Sequence, residues 1–172
     1  MSHFQALAVL AVTAAACTST PTVVVPDTLK PTAAETVVLT SPARGVQIYE
    51  CRPGKDGTGF DWAFVAPEAE LFDARSRSIG YHDAGPTWHS SDGSRVVGSV
   101  KARAEAPVPG AVPWLLLATK STGATGVLSG VTSIQRINTA GGVAPAAPCT
   151  EGLKGMTVRV PYTADYVFYA VR

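Results

Sequence analysis

Residues 87–106 read TWHSSDGSRVVGSVKARAEA. Asp92-Gly93 stands between two stretches of strand-like composition, and Asp-Gly in a two-residue loop is the strongest short-range hairpin signal. A two-residue turn on Asp92-Gly93 sets Ser91 opposite Ser94, Trp88 opposite Val97 and His89 opposite Val96. Val96, Val100, Ala102 and Ala104 then share one face of the second strand, and Arg95, Ser99, Lys101 and Arg103 the other. On that register Trp88 joins the basic, solvated face and His89 the apolar one. A one-residue slip would exchange the two faces.

The same alternation extends in both directions. Val46–Cys51, Asp61–Ala66, Ser78–Tyr81, Val127–Thr139 and Met156–Val171 read as strands, with Gly, Pro and Asp-rich turns between them. Pro67–Leu71 (PEAEL) reads as one helical turn with its acids near the start. Trp114–Ala118 (WLLLA) is continuously apolar, which predicts a central strand covered on both faces. No long helical period occurs. The fold class is therefore all-β: a single antiparallel β-barrel or β-sandwich domain with short helical turns.

At 172 residues, 46% hydrophobic and 16% charged, the chain can bury one core and is not of disordered composition. Its net charge of +1 gives it no general pull on polyanions, so nucleic acid is not an expected partner.

The N-terminal stretch Phe4–Ala16 (FQALAVLAVTAAA) has the length and apolarity of a signal h-region and is too short to span a membrane. Residues 1–16 are read as a signal peptide, although the preceding MSH lacks Lys and Arg. Cleavage after Ala16 serves either a small-residue site or a lipobox that attaches lipid to Cys17, the membrane anchor in that case. Residues 17–44, rich in Thr, Ser and Pro, read as a tether, with Val37–Leu39 as candidate strand. Residues 45–172 form the β domain. With Cys17 lipidated, Cys51 and Cys149 remain, and an exported protein pairs them.

Several motifs in this order resemble the DUF3455 family, a domain of unknown function. They are Tyr49-Glu50-Cys51, residues 82–88 (HDAGPTW), 92–94 (DGS), 113–117 (PWLLL), 134–142 (IQRINTAGG), Cys149 and residues 164–169 (ADYVFY). The resemblance covers about residue 45 to the C-terminus. It implies bacterial and fungal exported proteins with no established activity, some carrying a dehydrogenase name. Gly57-Thr58-Gly59 lacks the third glycine and the helix a dinucleotide site requires, so no cofactor is expected. By resemblance to Gram-negative lipoprotein sorting, Thr18 after Cys17 implies the outer membrane. The expected localisation is thus an outer-membrane, periplasm-facing lipoprotein or a secreted protein.

The candidate ligand-binding residues are His82, Trp88, Asp92 and Arg136. An exposed Trp88 beside cations is a platform for a sugar or aromatic ligand, whereas a loop or neighbouring strand covering it would make it ordinary core. His82, His89 and Asp92 have metal-ligating types but no characteristic spacing, so no metal site is assigned. Arg136 and Asp165 sit in apolar strands, where an ion needs a partner, and one candidate arrangement pairs them. Neither a G-x-S-x-G elbow nor an H-E-x-x-H occurs. Three roles fit: an envelope domain binding an extracytoplasmic ligand, carbohydrate being one candidate; a small hydrolase of cell-wall or extracellular polysaccharide, with His82 and an aspartate as acid and base; or a purely structural envelope component. Convergence of His82, Asp92 and Arg136 in one cleft would favour the hydrolase.

Overall fold

The computed structural model describes residues 23–172; the signal reading at 1–16 and Cys17 lie outside them. Eight antiparallel strands close into a barrel: β1 (Glu35–Pro53), β2 (Phe60–Phe72), β3 (Ser78–Asp83), β4 (Thr87–Ser90), β5 (Arg95–Ala104), β6 (Trp114–Ser121), β7 (Val131–Gly141) and β8 (Thr157–Val171). Each pairs with its sequence neighbours, and the long β1 closes the ring on β8 from Glu35↔Val171 to Glu50↔Thr157. The sequence left a barrel and a sandwich open, and closure decides for the barrel.

Three local expectations change. Residues 35–44 of the predicted tether belong to β1, with Ser41 and Ala43 buried and Leu39 packed against the core. Pro67–Leu71 is strand rather than helical turn. There Ala69 and Leu71 point inward while Glu68 and Glu70 face solvent, the two-residue period that burial in a sheet imposes.

The third change is the hairpin. Gly93 N–H donates to Ser90 O (3.0 Å) and Ser90 N–H to Ser94 O (2.9 Å), closing a three-residue loop, with Gly93 at φ 86°. That is a turn with a left-handed glycine and a bulge, not a two-residue turn. The Asp92 carboxylate locks it by accepting from Ser94 N–H (2.9 Å), Ser94 Oγ–H (2.6 Å) and Val127 N–H (2.7 Å). The extra residue shifts the register to Trp88↔Val96 and His89↔Arg95. Trp88 therefore turns into the barrel, 1% exposed, and His89 turns out.

Two apolar clusters result. The interior holds Trp88, Leu115, Leu117, Ile134, Tyr166 and Phe168 among others. A second bulge, between Val100 and Ala102, moves Ala102 and Ala104 to the outer face. There they join Trp114, Leu116 and Val167 beneath a short 3₁₀ turn, Asp27–Leu29. Leu29 is fully buried, and its carbonyl accepts from Gln135 Nε2. Trp114–Leu117 is thus buried on both faces, by the interior on one side and the N-terminal segment on the other.

The β4–β5 and β6–β7 loops fill one end of the barrel, where Leu128 is 1% exposed and packs into the interior. At the other end lies the β7–β8 loop. The Cys51–Cys149 disulfide (Cα–Cα 5.6 Å), a hydrogen bond from Trp62 Nε1 to Ala147 O (2.9 Å) and one from Tyr49 O–H to Gly142 O (2.7 Å) pin it to β1 and β2.

Candidate functional site

The pinned end opens into a cavity of about 460 Å³, within the size range of small-molecule sites. An eight-stranded barrel is wide enough to fill with side chains or to hold one small ligand. Here the side chains stop short of the mouth. The wall is largely apolar, with Phe64, Val65 and Val100 around the lip and Val112, Leu115 and Leu117 deeper. Gln47, Tyr49, His82, Trp88, Arg136 and Tyr166 supply the polar atoms.

Trp88 forms the floor. Gly98 lets it lie flat against β5, since a Cβ there would come within 2.8 Å of Trp88 Cζ3. His82 stacks on the indole at 4.3 Å between ring centroids, and both meet the edge of Tyr166 at 5.0 and 5.5 Å. His82 Nδ1 donates to Thr87 O (2.8 Å), which fixes the tautomer and leaves Nε2 as an acceptor. Burial pulls the His82 pKa down to about 3; the hydrogen bond to Thr87 opposes this and the Arg136 charge reinforces it. His82 is a neutral ring at any ordinary pH.

Arg136 projects inward from β7, and its Nε and Nη2 both donate to Pro113 O (3.1 and 2.8 Å). Burial raises the tyrosine pKa at Tyr49 and at Tyr166, with the Arg136 charge working against it in both. Tyr162, whose hydroxyl lies 3.2 Å from that of Tyr166, is pushed up as well, by burial and by its neighbour. All three phenols stay protonated and able to donate. Among the described residues three buried donors, Gln47 Nε2, Trp88 Nε1 and, in the outer cluster, Trp114 Nε1, make no hydrogen bond of full geometry, although the Gln47 amide interacts with the Tyr162 hydroxyl. A donor left without a partner costs about 1–3 kcal/mol.

Of the four residues singled out from the sequence, His82, Trp88 and Arg136 line this one cavity, and Asp92 lies at the closed end of the barrel as a turn lock. Trp88 contributes from the interior, as covered core rather than as a solvent-facing platform. The trio His82, Asp92 and Arg136 does not converge, so the arrangement that would favour the hydrolase does not form. The Arg136–Asp165 pair does not form either. Register sets Arg136 opposite Tyr166 and Ile137 opposite Asp165, so the two charges point to opposite faces; Asp165 instead accepts from Asn138 Nδ2 (2.7 Å). Among the described residues no three His, Cys, Asp or Glu side chains gather as a metal site.

Gln47, Tyr49 and Tyr166 were missed because tyrosine and glutamine in a strand read as ordinary composition. Their signal is parity: Gln47 and Tyr49 share a face of β1, as Tyr162 and Tyr166 share a face of β8.

No curated protein and no solved structure matches the chain. The family model described as protein of unknown function (DUF3455) matches residues 31–170, from just before β1 to the end of β8, and the chain belongs to that family.

Proposed function

We propose that this protein is an exported binding domain that holds a small ligand inside the open end of its barrel, anchored through lipid on Cys17. The observation that carries the binding reading is the cavity of about 460 Å³ at the open end of the barrel, with the Arg136 guanidinium set in a largely apolar wall. Packing alone would select an apolar side chain where Arg136 points inward. The cavity wall is held by closed-ring strand pairing and by the pinned β7–β8 loop, so little ordering entropy is left to oppose binding. Export is supported by the signal-like residues 1–16 and by the disulfide, a bond that persists in oxidising compartments. The mostly apolar lining favours a ligand with a hydrophobic body over a carbohydrate.

Nile red, a neutral dye that brightens in apolar surroundings, tests the binding reading. The expected result is saturable binding at one dye per chain, abolished by Val100→Trp, which fills the mouth from a half-exposed lip position. Absence of saturable binding, or binding equally strong in Val100→Trp, refutes it. Mass spectrometry of the mature protein tests the anchor, since an unmodified Cys17 or an intact Met1 excludes it.

A further inference from the structure

This inference rests on the cavity reading above and assigns the ligand's chemistry. We infer that the cavity takes a monocarboxylate with an apolar body, its carboxylate on Arg136 and its body against Phe64, Val65 and Val100.

Three observations converge. First, Arg136 is partly buried and in no ion pair among the described residues; it donates to Pro113 O and lies beside the Tyr166 hydroxyl, both neutral groups. A guanidinium carries five N–H donors in a planar fork that matches a carboxylate. Held in a low-dielectric wall, an unpaired cation is costly, and a ligand anion relieves that cost.

Second, the charge of the lining is one-sided. Arg103 stands exposed at the rim and Arg136 lies inside, while no aspartate or glutamate lines the cavity. His82 is neutral, so the net charge of the lining comes from the two arginines and disfavours a cation. Third, the lining includes N–H and O–H groups an anion can use, those of Tyr166, Gln47 and Trp88, beside the single imidazole acceptor of His82. The apolar lip then selects a body that gains by leaving water. Phe64 is 52% and Val100 50% exposed, which leaves apolar surface at the mouth for such a body to cover. The Arg136 fork is positioned before binding by its two bonds to Pro113 O, so its orientation is not lost entropy when the ligand arrives.

Two sources offer this chemistry, aliphatic and aromatic acids, and matched pairs separate them. Bound Nile red is displaced by octanoate against octanol, and by hydrocinnamate against hydrocinnamyl alcohol. Each acid is expected to displace the dye at about tenfold lower concentration than its alcohol, the order a charge-assisted bidentate contact gives. The more potent acid of the two identifies the body. The preference is expected to vanish in Arg136→Leu and to survive in part in Arg136→Lys, with circular dichroism reporting that both fold. Equal potency of acid and alcohol in the unsubstituted protein overturns the inference without needing any variant. So does an acid preference that persists in Arg136→Leu, or failure of all four compounds to displace the dye. Those outcomes leave the cavity reading standing. Failure of Nile red to bind removes the cavity reading itself.

Discussion

His82 couples the stability of this barrel to pH, and its contribution can be worked out. The ring is 3% exposed, and burial holds its pKa at about 3 against an ordinary 6.5. Below 6.5 the unfolded chain takes up a proton that the folded chain refuses, so stability falls as pH falls, down to about pH 3. Integrating between about pH 7.5 and about pH 5.5 gives a loss near 1.4 kcal/mol from this one ring. Carboxylates add little in that window. Glu35, for example, is held at about 2: burial would raise it, but hydrogen bonds from Thr132, Ser133 and Thr32 overcome that, so its contribution is lost only as pH falls below about 4.5 toward 2. Urea unfolding at the two pH values, on the parent and on His82→Asn, isolates the ring. Asparagine keeps a donor for Thr87 O but cannot titrate, and the difference between the two pH dependences removes the contribution of every other group, the loss of stacking included. The parent is expected to lose about 1.4 kcal/mol more than His82→Asn does. Identical pH dependence in both would refute the claim that His82 is buried and neutral.

Two further outcomes follow from other parts of the fold. Replacing Cys51 and Cys149 together by alanine opens a loop with a sequence separation of 98 residues and is expected to cost about 4–5 kcal/mol in urea unfolding, on the chain-entropy account. A double variant as stable as the parent would show that the strand pairing alone sets the stability. Leu29→Ala removes a fully buried side chain from the outer cluster and is expected to cost about 2–4 kcal/mol, measured the same way; a cost under about 0.5 would mean that the N-terminal segment lies on the barrel without supporting it.

The strand composition of the chain was legible from alternation and turn residues, because the period of two is a direct imprint of a sheet with two faces. What failed were the places where one residue changes the meaning of all its neighbours. Asp92-Gly93 specifies a hairpin, but both a two-residue and a three-residue loop use that pair. The loop that forms is held by the Asp92 carboxylate, locally at Ser94 and also at Val127 N–H, 35 residues away, a contact no local reading contains. That single residue of offset decides whether Trp88 faces water or lines the cavity. Residues 67–71 failed for a related reason: the acids that suggested a helix start are merely the outward positions of a strand. His82 and Arg136 were recoverable as unusual polar residues in apolar surroundings. Their meeting point was not, because it depends on β3 and β7 facing each other across a closed ring.

The closure of that ring also governs how the chain can reach its native state. The seam joins Glu35 to Val171, nearly the two ends of the described chain, so the most distant residues must meet before any sheet edge disappears. Until then β1, 19 residues long, presents one row of unpaired N–H and C=O groups to whatever is nearby. Non-local strand pairing of this kind places folding in the millisecond-to-second range rather than microseconds. A chain made or threaded from its N-terminus therefore carries an open seam until its last fifteen-residue strand, β8, has emerged. Deleting β8 would leave two permanent edges, and an aggregating protein in place of a folded one.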